Sequence, residues 1–362
     1  MDLSTPWLGM RLKNPLVVGA SPMVDDLGTV RRLEDAGAAA IVLHSLFEEQ
    51  ILREEQAAHR VFETSGESSA EALSYFPAAD GLSIGPEEYL ELIQRVKSAV
   101  AVPVAASLNG TTEGGWLHYA RLMEEAGADA LELNVYALAT DPWESGEAIE
   151  RRTRAMVRAV REASGVPVAV KLSPFYTSFA HFARQLDQEG ADGLVLFNRF
   201  YQPDLDVEAL DVQRTLRLSD ASELPLRLRW LAVLSGNVAA ELAVSGGVHT
   251  ALDVIQAVMA GAHAVQMVSA LLHNGPEHLA VLRRGIAEWL EEHEYATLRE
   301  MRGSMSMRTC TRATTSCGIC SRPCAGRAAS LTRATSSRSS RATSSPSRRW
   351  RRTRSPCSSC AS

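Results

Sequence analysis

Cysteine is absent from the first 309 of the chain's 362 residues, and all six cysteines lie beyond that point. This absence excludes a disulfide framework for most of the chain and is typical of a protein kept in the reducing cytosol. We therefore expect a cytoplasmic protein.

Long hydrophobic runs and targeting segments are also missing. No apolar stretch approaches the roughly 18–20 residues that a membrane-spanning helix requires. The N-terminal sequence MDLSTPWLGMRLKNP lacks the charged and apolar stretches of a signal peptide. We expect neither secretion nor membrane association.

Acidic residues are absent after Glu300, and this absence divides the chain into two unlike parts. Residues 301–362 contain 13 arginines and no lysine, aspartate or glutamate, so their formal charge is +13, whereas that of residues 1–300 is −19. An acidic body argues against nucleic-acid binding. We expect no specific nucleic-acid partner, even through the basic tail.

The tail, residues 308–362, is rich in Arg, Ser, Thr and Ala and has almost no apolar periodicity, which predicts disorder. Its C-x2-C-x3-C run, Cys317 to Cys324, lacks a neighbouring carboxylate or histidine, so we predict no metal or iron–sulfur site there. The abrupt change of composition is what a shifted reading frame in GC-rich DNA would produce. We therefore place the folded domain at residues 1–307 and expect native sequence to stop near Met307.

What the body does contain is a repeated unit in which a helix ends at Ala-Gly-Ala or a variant and an apolar strand follows. Strands buried on both faces are typical of parallel sheets with helical crossovers. Eight such strands over about 280 residues predict an α/β fold, the (β/α)8 TIM barrel. The predicted strands are Leu16–Ala20, Ala39–His44, Val104–Leu108, Ala130–Asn134, Val168–Leu172, Gly193–Phe197, Glu241–Ser245 and Ala264–Val268.

Two connections, residues 48–85 and 199–229, are longer than a barrel requires. Long loops at the C-terminal face of a barrel are usually lids or binding loops. We expect both to contribute to a binding site at that face.

Lys171 is the strongest single candidate for a catalytic residue, because residues 1–300 contain only three lysines and this one interrupts a buried strand. A cation at this position could stabilise a reduced ring or an anionic substrate, or form a Schiff base. The structural alternative is an ion pair with a neighbouring strand residue such as Glu132. We favour a catalytic role.

A phosphate site is predicted after the seventh and eighth strands, where barrels of this kind bind phosphate groups. Glycine pairs let backbone N–H groups approach an anion, and the candidates are Gly246, Gly247, Ser269 and Ala270. Three amides at other strand ends suit the donors and acceptors of a flat heterocycle: Asn109, Asn134 and Asn198. The nine histidines show no metal-binding spacing, so we predict no metal.

Taken in order, the segments NPLVVGASP, ELN, VAVKLSP, FNR, SGGV and GAHAVQMVSALLHNGP resemble the dihydroorotate dehydrogenase family. The resemblance covers roughly residues 1–307. It implies a flavoprotein of pyrimidine biosynthesis that binds FMN and oxidises a CH–CH bond of a small dihydropyrimidine-like substrate. The implied cofactor-binding residues are Ala20, Ser21, Ser45, Asn109, Asn134, Lys171, Asn198, Gly246, Gly247, Ser269 and Ala270.

The chain departs from the family pattern where that family has its catalytic base. Typical members have Cys or Ser in the short stretch after Glu-Leu-Asn, and the matching position here is Ala137. The lysine that usually precedes serine at the second strand is His44, and the asparagine-rich loop after it is replaced by residues 74–78. Tyr136, with Tyr176 and Tyr201, could replace the base.

We therefore interpret the chain as a dihydroorotate-dehydrogenase-like paralogue with an unknown electron acceptor and a possible homodimeric state. Two alternatives remain open at this point. One is a catalytically altered or silent flavoprotein. The other is a flavin-free, phosphate-binding isomerase or aldolase that uses Lys171.

Overall fold

Apolar strands alternate with helices along the chain, and eight of the strands close into a parallel barrel. The computed structural model describes residues 1–47, 85–109, 113–135, 139–198, 204–213 and 217–309. The strands of these residues are β1 (Thr5–Trp7), β2 (Met10–Leu12), β3 (Leu16–Val18), β4 (Ala40–Phe47), β5 (Val104–Asn109), β6 (Ala130–Asn134), β7 (Val168–Leu172), β8 (Gly193–Leu196), β9 (Asp204–Asp206), β10 (Asp211–Gln213), β11 (Glu241–Ser245) and β12 (Ala264–Met267).

The closed barrel has the strand order β3-β4-β5-β6-β7-β8-β11-β12, with β12 hydrogen-bonded to β3. All of its neighbouring strands are parallel. Every residue of β6 and β7 is buried, because the barrel interior covers one face and the helices cover the other. The predicted (β/α)8 barrel is confirmed.

Helices lie between the strands and follow the apolar periodicity of the sequence. They are α1 (Leu27–Ala36), α2 (Pro86–Ala99), α3 (Glu113–Glu125), α4 (Gly146–Ala163), α5 (Phe179–Gln188), α6 (Leu224–Leu234), α7 (Ala251–Ala260), α8 (Ser269–Asn274), α9 (His278–Glu292) and α10 (Leu298–Met301).

Local signals set the helix ends. Thr250 caps α7 through a reciprocal capping box with Asp253, and Gly261 ends the same helix at a positive φ of 129°. The cap satisfies N–H groups that the first turn would otherwise leave without partners. None of the described helices has the length and apolar character needed to cross a bilayer.

The interior of the barrel is apolar at the N-terminal end of its strands and polar at their C-terminal end. At the N-terminal end of the strands it is filled by small and branched apolar side chains, such as Ala130, Ala169 and Val195. Trp7 and Leu8 of the β1–β2 hairpin pack against this layer and close that end. At the C-terminal end the inward side chains are polar, which leaves that end to bind a ligand.

Two antiparallel hairpins were not predicted from the sequence. Their strands, in the pairs β1–β2 and β9–β10, have three residues each, which is too short to show a period of two. Three barrel strands have the predicted bounds, whereas β3 ends two residues earlier than expected, at Val18, and β4 continues three residues further, to Phe47.

Candidate active site

Lys171 on β7 lies at the centre of the polar side chains inside the C-terminal end of the barrel. Its Nζ donates to Oε1 of Glu132 on β6 at 3.2 Å, and the two side chains are only 8% and 2% exposed. Nε2 of Gln266 on β12 donates to the other carboxylate oxygen, Oε2. The ion pair that the sequence raised as the structural alternative therefore exists. It places a buried cation, with a fixed carboxylate, inside the C-terminal half of the barrel.

A chain of hydrogen bonds crosses the strand ends beside this pair. Nδ2 of Asn198 donates to Oδ1 of Asn134 at 2.7 Å, and Nδ2 of Asn134 donates to Oγ of Ser45 at 3.4 Å. Oγ of Ser45 lies 2.8 Å from Oγ of Ser107. Strand pairing sets Asn134 directly beside Lys171. Four predicted residues, Ser45, Asn134, Lys171 and Asn198, are thus brought together.

The segment after β3 brings small residues to the same end. Gly19 fits closely against β12, because a Cβ there would come within 2.9 Å of Cγ2 of Val268. Ala20 is half-buried, and Oγ of Ser21 is buried with no hydrogen-bond partner in the described part of the chain. A buried hydroxyl without a partner is costly, so it fits a position that a polar ligand completes.

The predicted phosphate residues meet through one that the sequence did not indicate, Ser219. Its Oγ donates to Oγ of Ser269 at 2.8 Å, and the N–H of Gly247 lies 3.4 Å from the Ser219 hydroxyl. Gly247 has a φ of 78°, and a Cβ there would lie 2.6 Å from the backbone nitrogen of Leu224. The result is a cluster of two hydroxyls and a backbone N–H, which is suited to an anion.

Gly246 and Ala270 flank this cluster. The guanidinium of Arg227, buried on α6, lies beside Gly246 and is held by the Ser245 carbonyl and by Glu223. Burial lowers the pKa of Arg227, which the Glu223 carboxylate opposes. Ala270 is buried in the first turn of α8.

Other predicted residues are not joined to the hydrogen-bonded chain. Asn109 is the last residue of β5 and pairs in register with Phe47, without a hydrogen bond to the amide chain in the described residues. Tyr136 and Tyr201 lie outside the described residues. Burial raises the pKa of Tyr176 to about 12, and its ring packs on Phe182. Tyr176 therefore stays protonated at ordinary pH and is harder to ionise to a basic phenolate than an ordinary tyrosine.

A further pair at the same end, His44 and Asp25, was not predicted as a site. Nδ1 of His44 lies 2.7 Å from Oδ1 of Asp25, which follows the short 3-10 helix Pro22–Val24. The His44 ring packs edge-on against Tyr89 of α2, whose hydroxyl donates to the His44 carbonyl at 2.8 Å. Burial raises the pKa of Tyr89 above its ordinary value.

With this geometry described, comparison with known proteins identifies the family. The profile of the family described as dihydroorotate dehydrogenase matches residues 2–290, well over half of the chain. The chain belongs to the dihydroorotate dehydrogenase family. It is accordingly an oxidoreductase of dihydroorotate dehydrogenase type, as the sequence motifs indicated.

Individual relatives agree over most of their length. The chain is 27% identical over 312 residues to dihydroorotate dehydrogenase B (NAD(+)), catalytic subunit, of Methanothermobacter thermautotrophicus, covering 83% of this chain and 97% of that protein. It is 28% identical over 285 residues to dihydroorotate dehydrogenase A (fumarate) of Limosilactobacillus reuteri, covering 74% of this chain and 86% of that protein.

The residues of the site fit the flavin on which this family depends. Oγ of Ser21 and Oε1 of Gln266 are among six buried polar atoms of the described residues that have no hydrogen-bond partner. Lys171 offers a cation to an electron-rich ring edge, the amides offer donors and acceptors, and the Gly247–Ser219–Ser269 cluster suits a phosphate. Among the described residues, no group of three His, Cys, Asp or Glu side chains is arranged to hold a metal ion.

Gln266 was missed and Glu132 was expected only as an ion-pair partner of Lys171, although both carried a sequence signal. Glu132 and Gln266 each interrupt a buried apolar strand, and a polar side chain in such a strand needs a partner. Ser219 and Asp25 lie in irregular segments, where nothing in the sequence distinguishes them from ordinary loop residues.

Proposed function

We propose that the chain binds FMN at the C-terminal end of the barrel and oxidises dihydroorotate or a closely similar dihydropyrimidine. The observation that carries this proposal is the buried Lys171–Glu132 pair beside the Asn198–Asn134–Ser45 chain, in a barrel of this family. When bound, FMN would supply the acceptor for a hydride from the substrate.

The ring of the flavin would lie on the small residues after β3, with Ala20 and Ser21 beneath it. Lys171 would face the ring edge that gains negative charge on reduction, and a fixed cation stabilises such charge without reorganisation. Glu132 and Gln266 hold the ammonium group in position. The phosphate would bind at Gly246, Gly247, Ser269 and Ala270, with Ser219 as an added donor.

Asn134 and Asn198, the two amides at the end of β6 and just after β8, would orient the substrate. Each offers both a donor and an acceptor, which matches the alternating N–H and C=O groups of a dihydropyrimidine. The hydrogen bonds assign the orientation of both amides, since Nδ2 of Asn198 donates to Oδ1 of Asn134 and Nδ2 of Asn134 donates to Oγ of Ser45.

The aldolase or isomerase alternative has no support in the geometry. A Schiff-base lysine must have an amine that is free to attack a carbonyl carbon. Lys171 instead donates to a buried carboxylate. No feature of the described residues favours a silent flavoprotein over an enzyme.

The test is an anaerobic titration of the purified full chain. We expect a yellow protein with one FMN per chain, bleached near 450 nm by L-dihydroorotate with release of orotate. Retention of flavin colour with all dihydropyrimidines would contradict the reaction, and a colourless protein that borohydride traps with a carbonyl substrate would contradict the cofactor.

The electron acceptor needs a separate measurement. The relatives' names specify NAD(+) in one case and fumarate in the other. Reoxidation of the bleached protein by fumarate, and its failure with NAD(+) alone, would indicate an acceptor that binds this chain directly. We keep a cytoplasmic location and a homodimer as expectations, to be checked by fractionation and by light scattering.

A further inference from the structure

β4 contains a bulge at the point where it enters the site. Val42 pairs with Ala105, and Ser45 pairs with Ser107, so β4 has one more residue than β5 across this interval. In a regular strand, neighbouring side chains point to opposite faces, but here both His44 and Ser45 are half-buried. Bulges next to active sites redirect side chains in this way.

One edge of the His44 ring contacts Asp25, and another part of the side chain is accessible to solvent. Nδ1 of His44 and Oδ1 of Asp25 are 2.7 Å apart and both are shielded from solvent, but the contact lacks hydrogen-bond geometry and neither atom has a hydrogen-bond partner in the described residues. The imidazole side chain is nevertheless 20% exposed. The accessible part of the side chain therefore excludes Nδ1. Nε2 makes no hydrogen bond within the described residues.

Among the described residues, the titratable groups in contact with His44 are Asp25 and Tyr89. Asp25 comes from the segment after β3, and Tyr89 comes from α2. Tyr89 remains a neutral donor at ordinary pH, since burial raises its pKa. Lys171 and Glu132 are paired with each other inside the barrel. His44 is thus a partly exposed imidazole of the described site, and imidazole is the side chain that most often acts as a general base.

We propose that Nε2 of His44, with the ring oriented by Asp25, accepts the proton that leaves C5 of the substrate. This inference rests on the proposed function. The C5–H bond breaks, its proton goes to Nε2 and its electron pair forms the C5=C6 double bond, while the hydride on C6 leaves for the oxidised flavin. A carboxylate at Nδ1 favours the tautomer whose free lone pair is on Nε2.

His44 would thereby perform the task for which the chain has no suitable side chain at Ala137. Asp25 is a positioning residue, because it acts through the imidazole. A different role for His44, as an imidazolium that binds a substrate carboxylate, would require the charged ring, and the same measurements separate the two roles.

The first measurement needs no substrate and so stands apart from the proposed function. In 15N NMR of the flavin-loaded full chain, His44 is assigned by comparison with His44→Gln. We expect the neutral tautomer protonated on Nδ1, and we expect Asp25→Asn to reduce the population of that tautomer, since the carboxylate beside Nδ1 favours it. An imidazolium that persists to pH 9, or the opposite tautomer, would overturn the proposal.

The second measurement is the pH dependence of flavin reduction by L-dihydroorotate in a stopped-flow instrument. His44→Ala should slow reduction by about 10²- to 10⁴-fold, the range for loss of a general base, and should remove the limb in which the rate rises with pH. Added imidazole should restore part of the rate.

Separate controls test the specificity of the pH effect and the binding of a ligand. His181→Gln, an exposed substitution on α5, should leave the pH profile unchanged. Orotate should still perturb the flavin spectrum of His44→Ala; loss of orotate binding with an unchanged reduction profile would support the imidazolium role instead. No reduction of the wild-type protein contradicts the proposed function, whereas reduction at the wild-type rate by His44→Ala overturns the inference alone.

Discussion

Lys171 on β7 and Glu132 on β6 form a buried ion pair, with Nζ of the lysine 3.2 Å from Oε1 of the glutamate. The pair lies above the apolar layer that contains Ala130 and Ala169, two residues earlier on the same two strands. Side chains two residues apart on a strand point to the same face, so the pair is inside the barrel. At this level the side chains inside the barrel change from apolar to polar.

Replacing Lys171 with Met should destabilise the protein by about 3–5 kcal/mol, because it leaves the Glu132 carboxylate buried without its cation. Flavin affinity should fall as well. The double variant Lys171→Met with Glu132→Gln should recover most of the stability and none of the flavin affinity. Urea unfolding of the apoprotein and flavin titration measure the two effects.

Lys97→Met is the matched control for this prediction. Lys97 pairs with Asp129 at 2.6 Å, but about a third of each side chain is exposed. Partly exposed pairs contribute only about 0–1 kcal/mol. Equal costs for Lys171→Met and Lys97→Met would contradict the buried pair as described.

The hairpin that closes the opposite end should affect stability alone. Trp7→Ala empties the layer formed with Leu8 and Val195, at a cost of about 3–5 kcal/mol. Trp143 is 92% exposed, so Trp143→Ala should change stability by less than about 0.5 kcal/mol. The bound flavin spectrum should be the same in both variants. A spectral shift in Trp7→Ala would show that the two ends are coupled.

Gly247 should tolerate no side chain. Gly247→Ala places a Cβ 2.6 Å from the nitrogen of Leu224 at a φ of 78°, so the loop after β11 must move. We expect weaker FMN retention on gel filtration, together with lower stability. Gly146, where a Cβ would meet nothing within 4 Å, is the control. Gly146→Ala should be neutral or stabilising by up to about 1 kcal/mol, since it restricts the unfolded chain.

The barrel could be predicted from the sequence because buried parallel strands have their own pattern. Strands such as Val168–Leu172 read as continuous apolar runs, and the Ala-Gly-Ala helix ends separate them. Lys171 and Asn134 could be predicted for the same reason, since each interrupts or ends such a run. The bounds of β4 differ most from the prediction, since it ends three residues later than expected, at Phe47, and it also contains a bulge between Val42 and Ser45.

The rest of the site depends on contacts between distant segments. Ser219 and Ser269 are 50 residues apart in sequence, and only the closed barrel brings their hydroxyls to 2.8 Å. Asp25 and His44 likewise come from successive units. The periodicity of the sequence does not indicate which distant residues meet in such pairs. The residues after β6 that include Tyr136 and Ala137 lie outside the described part of the chain.

We keep the expectation that the folded domain ends near Met307. The N–H groups of Gly303 and Met305 donate to the carbonyls of Val258 and Met259, which tie this segment to α7. A chain truncated after Thr309 should therefore match the full chain in unfolding midpoint and flavin content. Truncation after Thr297 removes the buried Leu298 and Met301 and should lower stability by several kcal/mol.

The same truncation tests the basic tail, and sequencing tests its origin. We expect the full chain and the chain ending at Thr309 to show the same absence of specific DNA binding at physiological salt. Salt-dependent binding by the full chain alone would contradict this. Resequencing of the 3′ end of the gene should reveal a shifted frame after about Met307; an intact frame would refute that interpretation.

His263 should make stability depend on pH at the closed end of the barrel. Burial, with a smaller contribution from the Arg302 charge, lowers the pKa of His263 from 6.5 to about 4. The folded protein therefore keeps this imidazole neutral, with Nδ1 accepting from the N–H of Leu242 at 3.0 Å. Below pH 6.5 the unfolded chain binds a proton that the folded chain does not, so stability falls as the pH drops from about 6.5 to 4 and no further below that.

The size and origin of this loss can be measured with one pair of variants. A shift of this size corresponds to a loss of about 3 kcal/mol over the window. In His263→Asn the amide oxygen can replace Nδ1 as acceptor, so urea unfolding midpoints between pH 7 and pH 4 should decline less steeply than in the parent protein. His181→Asn, on the exposed face of α5, should retain the parent slope. If His263→Asn also retains it, the acid sensitivity arises from other groups, because the buried imidazole would then contribute nothing to the difference in bound protons between the two states.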